Sequence, residues 1–198
     1  CKDQGIYPED YLEYAEKLTG TDQGDRENAL KIQEIARVYQ QYQELLLKNN
    51  YMDFADLSFY ANKLLKKRPS CLKKYQNKFK YILVDEFQDT NYAQFQLILK
   101  LAQEHQNITV VGDDDQSIYK WRGASLSNIL QFENHFKNSE KIVLTENYRS
   151  GQSVLDAAYN LIQNNNPDRL EVKLGIQKKL QCNNKENEPV EVIEFSDF

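Results

Sequence analysis

Apolar residues fall into two patterns along this chain. Between Asn28 and Asn50, the residues Leu30, Ile35, Val38, Tyr42, Leu45 and Leu46 recur at helical spacing among charged and amide side chains, predicting a long amphipathic helix. A second helix is expected from Asp53, a suitable N-cap, through Phe54, Leu57, Tyr60, Ala61, Leu64 and Leu65, stopping before Pro69. Upstream of Asn28, Gly20 and Gly24 stand among polar residues and predict a loop between helices. From Phe79 onward short apolar runs alternate with helical stretches: Tyr81–Val84, Tyr92–Ala102, Ile108–Val111, Leu126–Phe136, Ile142–Leu144 and Val154–Ile162. That alternation predicts right-handed crossovers and a parallel sheet with helices on its faces. Beyond Gln163 the chain is Asn-rich and charged up to Pro189, with a last strand expected over Val190–Phe195.

The chemistry gathers where these strands end. Four large side chains in a row, Tyr81 to Val84, read as a strand buried on both faces, and it runs straight into Asp85 and Glu86. Ligands of parallel sheets collect beyond the carboxyl ends of the strands. One carboxylate there can hold Mg²⁺ through oxygen, and its neighbour can accept a proton from water, which is the logic of a nucleoside triphosphatase. The second strand, Ile108–Val111, feeds through Gly112 into Asp113-Asp114-Asp115-Gln116, and the third, Ile142–Leu144, into Thr145-Glu146-Asn147-Tyr148-Arg149-Ser150. Metal ligand, base, amide, cation and stacking ring are all supplied by these loops.

Blander readings compete at each position. An acidic pair after one strand is often only a solvated loop or helix cap. Gly112-Asp113-Asp114, with Asp85 and Asp89 upstream, could imitate a two-metal polymerase palm, but a palm sets this motif in a tight hairpin and Ser117–Ala124 contains no returning strand. A binding module that grips single strands or a protein without turnover is a third reading. Trp121, between Lys120 and Arg122 beyond a strand end, reads as a stacking platform rather than core. His105 and His135 have no partner ligands nearby, and Lys66-Lys67-Arg68 and Lys73-Lys74 read as solvated helix ends.

Composition narrows the class only modestly. A chain of 198 residues with 40% hydrophobic content can bury a core. Its net charge of −5 announces no nucleic-acid partner, though net charge says little when binding is confined to one groove. Three widely separated cysteines, Cys1, Cys71 and Cys182, argue against a zinc site or disulfide framework and suit a reducing, cytoplasmic setting. With no signal peptide, no run suited to a bilayer and Cys1 in first place, the chain is expected to be a soluble piece of something longer.

Asp85-Glu86-Phe87-Gln88-Asp89-Thr90-Asn91, then Val111-Gly112-Asp113-Asp114-Asp115-Gln116-Ser117-Ile118-Tyr119 with Trp121-Arg122-Gly123-Ala124, then Asn147-Tyr148-Arg149-Ser150 resemble motifs II, III and IV of superfamily-1 DNA helicases of the UvrD/Rep/PcrA type. Asp53-Phe54-Ala55-Asp56-Leu57 resembles that family's Asp-Phe-x-Asp-Leu segment. The resemblance implies an α/β fold: a partial P-loop NTPase helicase core with a RecA-like parallel sheet flanked by helices and an all-helical N-terminal segment. It divides the chain into the end of a helical insertion (1–50), the later part of a first RecA-like domain (51–139) and the start of a second (140–198). It implies 3′-to-5′ translocation on single-stranded DNA coupled to ATP hydrolysis, with DNA duplex junctions as further partners, in repair or replication. Asp85 would bind the Mg²⁺ of Mg-ATP, Glu86 would activate water, Gln116 would sense the γ-phosphate, Tyr148 would stack on adenine and Arg149 would act as an arginine finger. Tyr119 and Trp121 would contact bases, and Arg122 would tie their loop to the carboxylates. A Gly-x-x-x-x-Gly-Lys-[Ser/Thr] loop and the family's later motifs are absent from the 198 residues, so the chain alone is expected to be inactive. The stretch from Leu170 to Gln177 is longer than is usual in the family.

Overall fold

The computed structural model describes residues 1–19, 22–118, 127–183 and 189–191. They form two compact units, the first of residues 1–113 and 117–137, the second of residues 114–116 and 138–198. Among the described residues the chain is mostly helical, with two small parallel sheets.

The first unit opens with a 3-10 turn at Lys2–Gln4 and helices α1 (Pro8–Glu16) and α2 (Gln23–Lys48). Asp22 caps α2 by accepting the Asp25 N–H at 2.8 Å. Gly24 therefore lies in the first helical turn, not in the expected loop; Gly20 lies outside the described residues. The predicted apolar stripe is also corrected. Leu30, Val38 and Leu45 are exposed, whereas Ala29, Ala36 and Gln43 are buried. Helices α1 and α2 pack together, with Ala15, Ala29 and Ala36 buried, and Gln43 is held inside by hydrogen bonds to Asp56 (3.2 Å) and Tyr60 (2.8 Å).

Helix α3 (Phe54–Lys67) starts as expected at Asp53, which exchanges hydrogen bonds with Asp56 in a capping box. It ends at Arg68 because Pro69 opens α4 (Pro69–Lys78), where a missing N–H costs no helical bond. Lys73 is thus not at a loose helix end; it pairs with Glu104. Lys2 Nζ reaches Asp53 (2.7 Å) and the fully buried Asp56 (2.8 Å), tying the first turn to the cap.

Strands β1 (Ile82–Val84) and β2 (Ile108–Val110) pair in parallel with Ile82 opposite Ile108 and Val84 opposite Val110. Helix α5 (Tyr92–Ala102) makes the crossover, and α6 (Ser127–His135) follows β2. One face of this sheet meets Phe87, Phe95, Ala102, Phe132 and Phe136. The ring of Phe87 packs edge-on against Phe95 and Phe132 at 5.7 and 5.8 Å. The other face is open, with Leu83 79% exposed, so β1 is not buried on both sides as its composition predicts. The physical reason is that α5 and α6 cover one face only among the described residues.

The second unit contains a helical turn at Asp114–Gln116, strand β3 (Glu146–Asn147), α7 (Gln152–Ile162), α8 (Leu170–Leu174) and strand β4 (Gln181–Cys182). Strands β3 and β4 pair in parallel, Glu146 opposite Gln181. Ile142–Leu144 is not the expected strand: Ile142 and Leu144 are 80% and 76% exposed. Pairing begins only at Thr145, whose carbonyl accepts the Gln181 N–H at 2.8 Å, because that is where β4 supplies a partner. Val190 and Glu191 are not in a strand, and the rest of the predicted last strand lies outside the described residues. No described helix is long and apolar enough to cross a membrane.

Candidate functional site

Asp85 and Glu86 stand where the pattern of apolar residues places them, immediately after β1, and both side chains are exposed. Asp85 turns one carboxylate oxygen back to accept the Glu86 N–H at 2.9 Å. Its other oxygen is a hard donor suited to Mg²⁺, which keeps much of its water and takes few protein ligands. Glu86 has φ 48° and ψ 44°, the left-handed region that side-chain-bearing residues avoid. That backbone twist is held by the next residue, whose N–H donates to the Val111 carbonyl at 2.9 Å.

Beneath the two acids lies Gln88, only 1% exposed. Its Nε2 donates to Glu86 Oε2 at 2.6 Å, and its Oε1 accepts the Asp113 N–H at 3.0 Å. One amide thus connects the end of β1 to the segment following β2. Gly112 makes the room: a Cβ there would stand 2.8 Å from Gln88 Oε1. Thr90 and Asn128 support the same turn, Thr90 donating to the Phe87 carbonyl at 2.7 Å and Asn128 to the Thr90 carbonyl at 2.8 Å.

The acids after Gly112 behave differently. Asp114 accepts the Leu170 N–H at 2.7 Å and pairs with Lys178. Asp115 is bracketed by Arg169, through Nε at 2.8 Å and Nη2 at 2.7 Å, and by Lys178 at 3.0 Å. Arg169 also donates to Glu171 at 2.7 Å, and Tyr159 donates to the same carboxylate at 3.0 Å. Burial pushes the Asp115 carboxyl up, yet hydrogen bonds from Arg169 and Lys178 outweigh it and hold the group below the usual carboxylate range. For Glu171, burial is likewise outweighed by the Lys178 N–H, Tyr159 and Arg169. The Asp115 hydrogen bonds raise the Arg169 guanidinium above its ordinary value against the opposing effect of burial. A carboxylate paired with a protein cation is a poorer metal ligand, so the bonds of Asp114 to Lys178 and the Leu170 N–H count against its part in the palm reading of Gly112-Asp113-Asp114.

Gln116 is exposed and belongs with this second unit. Tyr148 and Arg149 follow β3 in a turn closed by Asn147, whose side-chain oxygen accepts the N–H groups of Arg149 (3.0 Å) and Ser150 (2.8 Å). Tyr148 is 70% exposed and donates its hydroxyl to Glu146. The guanidinium of Arg149 is exposed and has no partner among the described residues. Tyr119, Trp121 and Arg122 lie outside the described residues. His105 accepts the Asn107 N–H at 3.1 Å and His135 packs edge-on to Phe95.

Sequence reasoning quoted Gln88 and Gly112 within motifs without giving them a role, and assigned none to Arg169 or Lys178. The two-residue step from Glu86 to Gln88 was a usable signal; nothing in the spacing joins Asp115 to Arg169.

Among the described residues, two parallel strands joined by a helical crossover carry two exposed carboxylates and a buried amide at their carboxyl ends. The UvrD/REP helicase N-terminal domain matches residues 1–137, and the chain belongs to that family. It is 47% identical over 165 residues to the DNA helicase II of Rickettsia typhi, covering 83% of this chain and 23% of the relative. It is 51% identical over 133 residues to the ATP-dependent DNA helicase PcrA of Bacillus subtilis, covering 67% and 18%. The match to the PcrA helicase of Leuconostoc citreum is 42% over 174 residues, covering 88% and 22%. The chain spans about a fifth of the length of these curated relatives.

Proposed function

We propose that this chain is part of an ATP-dependent DNA helicase, supplying the carboxylate portion of its ATP site and some of its contacts to single-stranded DNA. The observation that carries the reading is the exposed Asp85-Glu86 pair at the end of β1, with the Glu86 carboxylate held by Gln88. In this reading 51–139 is the later part of a RecA-like ATPase domain, 140–198 begins a second, and 1–50 ends a helical insertion.

Asp85 is the residue that would hold Mg²⁺; the ion would neutralise charge on the phosphates of bound ATP. Glu86 accepts the proton of the attacking water. Gln116 hydrogen-bonds the γ-phosphate, Arg149 offers a guanidinium unpartnered among the described residues to the charge that develops there, and Tyr148 lends an exposed ring to the adenine. Tyr119 and Trp121 stack on bases, each stack contributing roughly 1–3 kcal/mol irrespective of sequence, and Arg122 links their loop to the acids. ATP hydrolysis then drives 3′-to-5′ movement along single-stranded DNA and the opening of duplex junctions. The cytoplasm is the expected setting.

The whole protein should hydrolyse ATP in a DNA-stimulated manner and separate strands with a 3′ tail. Trp121→Ala should weaken single-strand affinity by roughly 1–3 kcal/mol without lowering the melting temperature. Failure of DNA to stimulate turnover would remove the helicase reading. Retained DNA affinity with a collapsed melting temperature would return Trp121 to the core.

A further inference from the structure

We propose that Gln88 is a positioning residue for the reaction: it holds the Glu86 carboxylate in its working orientation and ties that orientation to the backbone following β2. The inference rests on the reading of Glu86 as the base.

Three observations converge on this one amide. First, its two ends are read by partners that allow a single orientation, since an ionised carboxylate only accepts and a backbone N–H only donates. Nε2 is 2.6 Å from Glu86 Oε2, and Oε1 is 3.0 Å from the Asp113 nitrogen. Second, the side chain is 1% exposed, so no water replaces either bond when one is lost, and a buried polar group left unpaired is costly. Third, the neighbouring backbone is shaped around it. Gly112 leaves the space that a Cβ, 2.8 Å from Oε1 and 3.3 Å from the Gln88 nitrogen, would close. Glu86 itself sits at φ 48°, a conformation kept only where the surroundings over-determine it. An exposed glutamate on a long side chain samples many rotamers. Here one oxygen is fixed from below and the other is left for water.

Because Oε1 is tied to the Asp113 N–H, a shift of the segment after Gly112 would move Glu86 as well. The candidate base is thereby sensitive to the loop that leads to Gln116.

The test uses the whole protein and reads kcat and KM for ATP in DNA-stimulated turnover, with the melting temperature beside them. Gln88→Glu keeps the side chain's length and an acceptor for the Asp113 N–H, but puts a second carboxylate against Glu86. With its donor replaced by an acceptor, Glu86 should lose its held orientation and kcat should fall about tenfold or more, with KM for ATP nearly kept. Gly112→Ala, which displaces the amide without altering it, should lower kcat to a similar degree, again with KM nearly kept. An unchanged kcat in a folded Gln88→Glu protein overturns the proposal and leaves Gln88 a packing residue. If that variant gives no cooperative melt, Gly112→Ala decides: unchanged kcat overturns the proposal. Glu86→Gln separates the two levels. Retained turnover there would sink the base assignment itself, whereas lost turnover combined with an unchanged kcat in Gln88→Glu would sink only the positioning role.

Discussion

Two acidic pairs, each found just after a short strand, are held in opposite ways. Asp85 and Glu86 are exposed and receive one neutral amide donor and one backbone N–H between them. Asp114 and Asp115 are drawn in among Arg169, Lys178 and the Leu170 N–H. The same contrast separates two arginines of the second unit: Arg169 is 3% exposed and bonded to two carboxylates, while Arg149 is exposed and unpartnered among the described residues. A charge whose bonds are all made within the protein organises the fold. A charge oriented by a single contact and otherwise open to water is available to a ligand.

The sharpest way to break this contrast is to remove each charge and see whether chemistry or stability responds. Arg149→Ala in the whole protein should lower ATP turnover by about 10³-fold or more, the scale of an arginine finger, with single-strand affinity and melting temperature nearly intact. Lysine should rescue poorly, because a point charge cannot reproduce the planar fork. Equal losses of DNA affinity and turnover would place Arg149 on the DNA track instead. Arg169→Met should do the reverse, lowering unfolding free energy by about 3 kcal/mol, the lower end for a broken buried pair because Lys178 remains beside Asp115. Denaturant titration measures this; an unchanged midpoint would show that the clamp contributes nothing to the fold.

Glu86→Gln keeps size and hydrogen bonding but removes the proposed base. Turnover should fall by at least about 10²-fold while nucleotide binding persists. Near-normal turnover would reassign the base and erase the distinction between the two acid pairs. The smallest effect expected is on acid stability. Asp115 and Glu171 titrate below their ordinary values in the folded chain, so their stabilisation is complete above the unfolded values near about 4 and disappears as pH falls through the folded ones. Unfolding free energy should therefore decline below about pH 4.5, and Arg169→Met should flatten that decline. A slope identical in both proteins would show that other carboxylates, such as Asp53 beside Lys2, govern it.

Much of the candidate site could be read along the chain because its parts are local. The step from Val84 to Asp85, the step from Val110 through Gly112, the Asp53 cap and the stop at Pro69 each depend on residues a few positions apart, and the structure shows each of them. The predictions that failed concern what covers an element or pairs with it. Leu30, Val38 and Leu45 have helical spacing but are exposed, and the apolar run Ile142–Leu144 lies in no strand. Periodicity reports that a stripe exists; it carries no information about what packs on it.

By itself, then, the amino-acid order determined where β1 and β2 run out, which acids follow them and the family these residues resemble, since backbone propensity, capping and strand length act over a few residues. Only the tertiary structure decided that Glu86 is steered by a buried amide reaching Asp113, 25 positions from Gln88. Only it showed that Asp115 is claimed by Arg169, 54 positions further on. The physical reason is that a carboxylate's availability depends on desolvation and on donors within about 3 Å. Such donors come from whichever distant segments the packed core brings beside it.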